Sequence, residues 1–431
     1  MPRFLHAADI HLDSPLRSLR GYDQAPADAI ADASRDALER MATLAIEQRV
    51  DAVLIAGDLY DGRWTEQRTG LHFVGVASRL VGAGIPVLVI RGNHDAENVM
   101  TSSLPLPKNP DGGDILIAAD RVESRAIESA GLMVHARSFA TRAVKENLAV
   151  DYPAPATGYC NIGMLHTSLT GAEGHDTYSP CSPEYLTDKG YDYWALGHVH
   201  RRRNHGVDGG PPIMFPGNLQ GRHVGETGAK GCLIVDVDDS LRCKPTFHSL
   251  ADVRWHVVEI DASDLSHVDD VTDVYRDELS TLTGDGGVRL WITRVVVRGE
   301  TDLDARLRRD DDRLSASLQA VAVAAGGGRV WMEKLRVRTS PPGDRGEAEV
   351  DGPLASLNAA IESAAADDDF RAAVAAAIAP VRKKVPGDVD VVSVDREGDG
   401  DDGDDPLSEL VADAAADLTV RLVGGGAEDG S

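Results

Sequence analysis

Seven polar side chains in this 431-residue chain have the types and spacing to hold metal: Asp9, His11, Asp58, Asn93, His166, His198 and His200. They fall in five short segments, Asp9-Ile10-His11, Gly57-Asp58-Leu59-Tyr60-Asp61, Gly92-Asn93-His94-Asp95, His166 directly after Met164-Leu165, and Gly197-His198-Val199-His200. Carboxylate and amide oxygen with imidazole nitrogen, and no thiolate, suits manganese, iron or zinc better than calcium and does not describe a closed structural zinc site. The i, i+2 spacing of Asp9 with His11 and of His198 with His200 predicts an extended chain that turns each pair toward one cavity. Glycines at 57, 92 and 197 would let the backbone turn sharply and come close to an ion. If Asp58 bridges, the seven residues divide evenly over two ions, an arrangement that clamps the attacking and leaving oxygens of a displacement at phosphorus.

Such residues need a scaffold that brings five distant segments together. Short runs rich in Val, Ile and Leu predict strands at Arg3–Ala8, Ala52–Ala56, Pro86–Ile90, Asn161–Leu165, Tyr193–Leu196 and Cys232–Val237. Between them, Asp28–Arg49 and Gln67–Val81 carry apolar residues at helical spacing, with Leu38, Met41, Ala45 and Ile46 on one face. This alternation predicts a layered α/β domain, whose sites lie at the carboxyl ends of the strands. Residues 97–115, punctuated by Pro105, Pro107, Pro110 and Gly112-Gly113, read as an irregular loop.

The character changes after residue 250. Trp255–Ile260, Arg289–Arg298 and Arg329–Val337 read as strands and Asp302–Ala325 as a helix, which predicts a small α+β domain over 251–340. A linker over 341–352, an Ala-rich helical segment over 353–383, an acidic linker over 384–405 and an amphipathic helix over 406–423 complete the expected order. That last helix would start at Asp405-Pro406 and carry a stripe of Leu407, Leu410, Val411, Ala414 and Leu418. Its face either packs on its own domain or reaches another chain.

The formal charge is −26. Residues 1–250 hold 31 acids and 24 bases, and the remainder holds 39 and 20. The acid excess, concentrated in the C-terminal part, reads as a solubility device. It excludes a polycationic nucleic-acid binder, and it predicts that any intrinsic affinity for DNA is modest and falls with salt. The four cysteines, Cys160, Cys181, Cys232 and Cys243, lack CxxC spacing and read as free thiols. No apolar run approaches the ~18–20 residues of a membrane span, and the first residues lack a signal-peptide core, so the expected location is the cytoplasm, with no membrane partner.

Taken together, the five segments resemble the blocks of the calcineurin-like metallophosphoesterase superfamily, D-x-H, G-D-x-x-D, G-N-H-[DE], a His block and G-H-x-H, all present between residues 9 and 200. A narrower resemblance, to SbcD-like DNA-repair exonucleases of the YhaO type, rests on FLHAADIHLDSPL at 4–16, GDLYDG at 57–62, RGNHD at 91–95, YDYWALGHVH at 191–200 and FPGNLQGRH at 215–223. It is dense over 1–250 and thin beyond. The resemblance implies a four-layer α/β sandwich, two central β-sheets flanked by helices, followed by a cap domain and C-terminal helices that dock on an SMC-like ATPase of the SbcC or YhaN type. It also implies two manganese ions, one on Asp9, His11, Asp58 and His200 and the other on Asp58, Asn93, His166 and His198, with iron or zinc compatible with the same ligands. A homodimer is left open.

Hydrolysis by a metal-activated hydroxide requires the departing sugar oxygen to receive a proton or a positive charge, and His94 is the residue placed to supply it. Asp61 matches the family position whose carboxylate keeps this histidine protonated and oriented. Asp95 reads as a turn residue beside the site. Arg201, Arg202 and Arg203, with Arg222 and His223, are candidates for contacts to backbone phosphates. The sequence therefore predicts a metal-dependent DNA exonuclease subunit. A phosphodiesterase or phosphatase for small nucleotides or phosphoproteins is the alternative enzyme, and a scaffold for an SMC-like ATPase the alternative of another kind.

Overall fold

A computed structural model describes residues 1–14, 32–61, 67–96, 105–169, 178–207, 209–284 and 287–342, with a few single positions between 360 and 377. The expected linker over 341–352 beyond residue 342, most of the 353–383 segment, the linker over 384–405 and the helix over 406–423 lie outside the described residues. Two compact units are present, one within residues 1–254 and one beginning at Trp255.

In the first unit, apolar runs too short for helices form two sheets. The five-stranded sheet has the order β11-β10-β1-β2-β3. It is built from β1 (Arg3–Ala7), β2 (Ala52–Ala56), β3 (Val87–Ile90), β10 (Gly231–Val237) and β11 (Cys243–Ser249). Strands β1, β2 and β3 run parallel, with Leu5 opposite Val53 and Leu54 opposite Leu88. Strands β10 and β11 continue the sheet antiparallel. The six-stranded sheet, in the order β4-β5-β6-β7-β9-β8, contains β4 (Glu123–Ile127), β5 (Leu132–Ala136), β6 (Cys160–His166), β7 (Tyr193–Gly197), β8 (Arg203–Asn204) and β9 (Ile213–Phe215). Its central strands β5, β6, β7 and β9 are parallel, and the two edge strands are antiparallel.

The two sheets pack face to face through Phe4, Leu54, Leu88, Val134, Ile162, Met164, Tyr193 and Leu233. On the outer face of the first sheet lie α1 (Ala33–Glu47) and α2 (Gln67–Gly82). These bury Leu38, Met41, Phe73 and Leu80 against Leu5, Val53, Ile55 and Val87. Truncating one such core leucine to alanine costs about 2–5 kcal/mol. On the far side of the second sheet, Trp194, Leu196 and Phe215 pack against Leu186 of the short α3 (Pro183–Asp188) and against Phe139 and Tyr152 from connecting segments. The result is four layers, with helices heavier on one side than on the other. All four cysteines are free thiols.

The second unit is a three-stranded sheet, β12-β13-β14, formed by β12 (Val253–Asp261), β13 (Leu290–Glu300) and β14 (Val330–Ser340). Strands β13 and β14 are parallel, and their connection runs through α5 (Asp304–Arg309) and α6 (Asp311–Ala325), the long crossover that a parallel pair requires. The helix expected over Asp302–Ala325 is thus two helices meeting at Asp310. One further helix, α4 (Asp270–Leu282), escaped the sequence reading although Val271, Tyr275 and Leu279 share a face. These side chains and Leu314, Leu318 and Ala322 of α6 form the core with Val258, Ile260, Val295, Val297 and Leu335.

Candidate metal centre

Each predicted site residue lies in a segment that leaves the carboxyl end of a strand. Asp9 and His11 follow β1, Asp58 follows β2, Asn93 and His94 follow β3, His166 is the last residue of β6, and His198 and His200 follow β7. Backbone hydrogen bonds tie the segments together: Asp9 N–H donates to Gly57 O and His11 N–H to Asp58 O, both at 3.0 Å. Gly197 sits where β7 approaches β2 so closely that a Cβ would strike the Ala56 carbonyl, and a Cβ on Gly92 would run into Asp58 Oδ1 and the His166 ring.

The backbone that delivers these groups is not the extended chain that the i, i+2 spacing predicts. Asp9, His11 and Asp58 have φ of 50°, 44° and 50°, and His198 has 110°. Strand pleating ends at Ala7 and Gly197, before both pairs. Left-handed turns aim the side chains instead, and such conformations in residues other than glycine are held only where surrounding contacts enforce them.

Three groups of donor atoms each fall within a mutual 4.8 Å: Asp9, His11 and His200; Asp58, His166 and His198; and His11, Asp61 and His94. His11 Nε2 faces His200 Nε2 at 3.2 Å and lies 3.9 Å from Asp58 Oδ2. Asn93 Oδ1 is 2.9 Å from His166 Nε2, which is also 3.4 Å from Asp58 Oδ2. His166 Nδ1 donates to Ala56 O at 3.0 Å, which turns Nε2 toward the shared space. His198 N–H donates to both Asp9 oxygens, at 3.0 and 3.1 Å, and its ring packs edge-on to His166 and Tyr178. His94 Nδ1 is 3.2 Å from Asp61 Oδ1, and Asp61 Oδ2 accepts from the Ser14 hydroxyl at 2.7 Å. His94 N–H donates to Asp58 Oδ1 at 2.9 Å.

The electrostatics of the centre are those of charges facing one another out of water. Burial pushes the Asp9 carboxyl up to about 6 against the pull of His200 and His166. Burial works the same way on Asp58, but His166 and His94 overcome it and hold that carboxyl well below the usual range. His166 is pushed up to about 9, because the pull of Asp58 and Asp9 outweighs the cost of burying its charge. His11 is held well below the ordinary histidine value by burial, with Arg222 and His94 adding to it. Asp61 is likewise kept well below the carboxylate range: His94, His11, Arg222 and Ser14 prevail over burial.

This donor set fits divalent metal. Two imidazole nitrogens whose in-plane lone pairs converge at 3.2 Å can share one proton or one cation, and nothing else settles both. The glycine at 92 leaves the room that any side chain would take from Asp58 and His166.

Two positioning residues were not legible as such. Glu226 lies in the loop between β9 and β10 and is buried. It accepts from His200 Nδ1 at 2.7 Å, from Asn218 Nδ2 at 2.8 Å and from the Arg222 N–H at 2.6 Å. Burial opposes its charge, yet Arg222 and His200 hold it well below the usual carboxylate range. The one signal in the sequence was a lone acid in an otherwise glycine-rich and basic loop. Asp95 is more than a turn residue: its carboxylate accepts from the Leu59, Tyr60 and Gly92 N–H groups at 3.0, 2.9 and 3.2 Å. It thereby locks the turn carrying Asp58 to the turn carrying Asn93. Burial, and then Asp58, push its carboxyl up to about 6. Of the arginine run, Arg202 stacks over Phe247 at 3.7 Å, and Arg201 and Arg203 are exposed.

Comparison with known families places this geometry. The calcineurin-like phosphoesterase family matches residues 2–202, and the middle domain of the YhaO metallophosphoesterases matches residues 255–340. A Bacillus subtilis protein named as the uncharacterized metallophosphoesterase YhaO is 32% identical over 286 residues, covering 66% of this chain and 69% of that protein. The chain belongs to the calcineurin-like metallophosphoesterases. It is therefore a hydrolase of a metal-using family, and its relatives include proteins named for DNA repair. The DNA double-strand break repair protein Mre11 of Sulfolobus acidocaldarius is 28% identical over 224 residues, 50% of this chain and 54% of that protein. A solved Thermus thermophilus structure, TT1561, aligns with 57% of this metallophosphoesterase and 98% of its own chain at 12% identity and a TM-score of 0.33, too distant to add to the argument. Among the described residues, no helix is long and apolar enough to cross a membrane.

Proposed function

We propose that this metallophosphoesterase hydrolyses DNA phosphodiester bonds as the nuclease subunit of a repair complex with an SMC-like ATPase. The observation that carries the reading is the pair of donor groups Asp9/His11/His200 and Asp58/His166/His198, joined through Asp58, in a chain related to Mre11 proteins. In this reading Asp9, His11, Asp58 and His200 hold one ion and Asp58, Asn93, His166 and His198 the other, with manganese the expected metal. When bound, the two ions would polarise the phosphoryl oxygens and activate water at neutral pH. The remaining work belongs to side chains. Glu226 fixes the ring and tautomer of His200, and the Ala56 carbonyl does the same for His166. Asp95 keeps the Asp58 and Asn93 turns in register. His94, held by Asp61 and 14% exposed, holds a proton at the rim of the site for the departing sugar oxygen. Arg201 and Arg203 are exposed, and in this reading they contact backbone phosphates.

The test is digestion of end-labelled single- and double-stranded DNA by the purified chain across manganese, iron, zinc and magnesium. Degradation that depends on manganese is the expected result. Inertness toward DNA together with rapid cleavage of cyclic nucleotides would replace this reading with that of a small-nucleotide phosphodiesterase, which the −26 charge would also suit.

A further inference from the structure

Arg222 differs from the other charged groups at the centre in that its neighbours do not use it up. Its side chain is only 16% exposed. Nη2 reaches Glu226 Oε1 at 3.4 Å, the long end of a hydrogen bond, and that oxygen already accepts from His200 Nδ1 at 2.7 Å. Nη2 also lies 3.3 Å from His200 Nδ1. That nitrogen carries a hydrogen when it donates to Glu226, so it has no lone pair to offer a second donor. Nε is buried and has no hydrogen-bond partner. A guanidinium N–H left dry is costly even though Nη2 is ion-paired with Glu226, and the cost is recovered when an anion reaches it.

The surroundings say which anion. Arg222 Nη2 lies 3.3 Å from the ring of His200, a member of the Asp9/His11/His200 group, and the side chain is only 16% exposed, so the guanidinium borders that donor group. The carboxylates of Asp9, Asp58, Asp61, Asp95 and Glu226 outnumber by one the four charges of two divalent ions. Arg222 offsets that excess, which would otherwise repel the single negative charge of a phosphodiester. A planar guanidinium also matches two non-bridging phosphoryl oxygens, which a lysine ammonium does not.

Resting on the phosphodiesterase reading above, we propose that Arg222 is the residue that grips the non-bridging oxygens of the scissile phosphodiester. Glu226 is then the common anchor of a metal ligand and a substrate ligand, setting the distance between them.

The test compares the full-length, manganese-loaded protein with Arg222→Met and Arg222→Lys. Three quantities are read: metal per chain by atomic emission, affinity for inorganic phosphate by calorimetry, and KM and kcat on bis(p-nitrophenyl) phosphate. Arg222→Met is expected to keep its metal and to bind phosphate roughly ten- to a hundredfold more weakly, with KM rising in step. Arg222→Lys keeps the charge without the fork, so it is expected to fall between the two, and it decides the matter if the methionine variant does not fold. Unchanged phosphate affinity at unchanged metal content would overturn the proposal. So would loss of metal in Arg222→Met, which would make the residue a brace for His200. A wild-type protein that binds phosphate yet cleaves no phosphodiester would sink the functional reading alone, since the phosphate titration still decides Arg222.

Discussion

In the second unit the buried carboxylate of Glu333 is closed off by both arms of Arg294, at 2.9 and 2.8 Å, and the buried Tyr275 hydroxyl meets Thr293 at 2.6 Å. In the first unit Asp9, Asp58, His11 and His166 are just as deeply placed, but they are left facing one another and the partly buried His200. All three donor clusters among the described residues belong to that unit. Both units use parallel strands joined by helices, and both bury charge. The difference is whether a side chain of opposite sign completes the arrangement. Where it does, the charge is architecture. Where the arrangement is completed only by histidines crowding two carboxylates, and the backbone is bent left-handed to hold them there, the protein is arranged around something it does not itself supply.

The largest expected effect comes from removing the group that joins the two clusters. Asp58→Ala should lose metal by atomic emission and lose hydrolysis with it, since this carboxylate lies within reach of both His11 and His166. Retained metal and activity would erase the contrast between the units. His94→Ala is next. It should cut turnover by roughly two to four powers of ten while both ions stay bound. His11, Asp61 and His94 also form a donor cluster, so equal metal loss in the two variants would show that His94 is a ligand rather than a proton donor.

The seven proposed ligands were singled out in the sequence because their segments begin where an apolar run stops, and strand ends are visible as such; the roles given to His94 and Asp61 came with the family resemblance. The reason offered for Asp9 and His11 was wrong all the same. Alternation holds along β1, but the chain leaves the sheet at Ala7, and φ values of 50° and 44° have no signature in residue type. Glu226 escaped because it belongs to an irregular loop and acts through three long-range hydrogen bonds, which neither period nor spacing encodes. Strand β4 escaped because ESRAI is a half-exposed edge with little apolar content. The two-helix break at Asp310 lay inside a continuous helical pattern, where no proline or glycine marks it.

Glu226→Gln sharpens the comparison at intermediate strength. Glutamine keeps the shape, but it puts an amide where a carboxylate now holds the His200 ring. Metal affinity is expected to fall about 10- to 100-fold, the usual effect of losing such a partner, and to be recovered at high manganese. Calorimetric titration of manganese into the metal-free variant reads this directly, and an unchanged affinity would mean that the His200 ring is fixed by its other neighbours.

The smallest effect on chemistry is expected where the charge is already complete. Arg294→Met removes the fork from Glu333, a carboxylate 5% exposed, and leaves it without the partner that matches both its oxygens. Breaking a buried pair in this way costs 3–5 kcal/mol when both groups are fully enclosed, and Arg294 is 20% exposed, so a loss of about 3 kcal/mol is the expected ceiling. Chemical denaturation with a probe in the second unit, such as the fluorescence of Trp291 and Trp331, should report it. Metal content and hydrolysis of a simple phosphodiester should stay at wild-type levels, because no atom of this pair belongs to a donor cluster. If instead the variant loses metal, the two units are coupled through this pair, and the distinction between charge as architecture and charge held open for a cation would have to be drawn elsewhere.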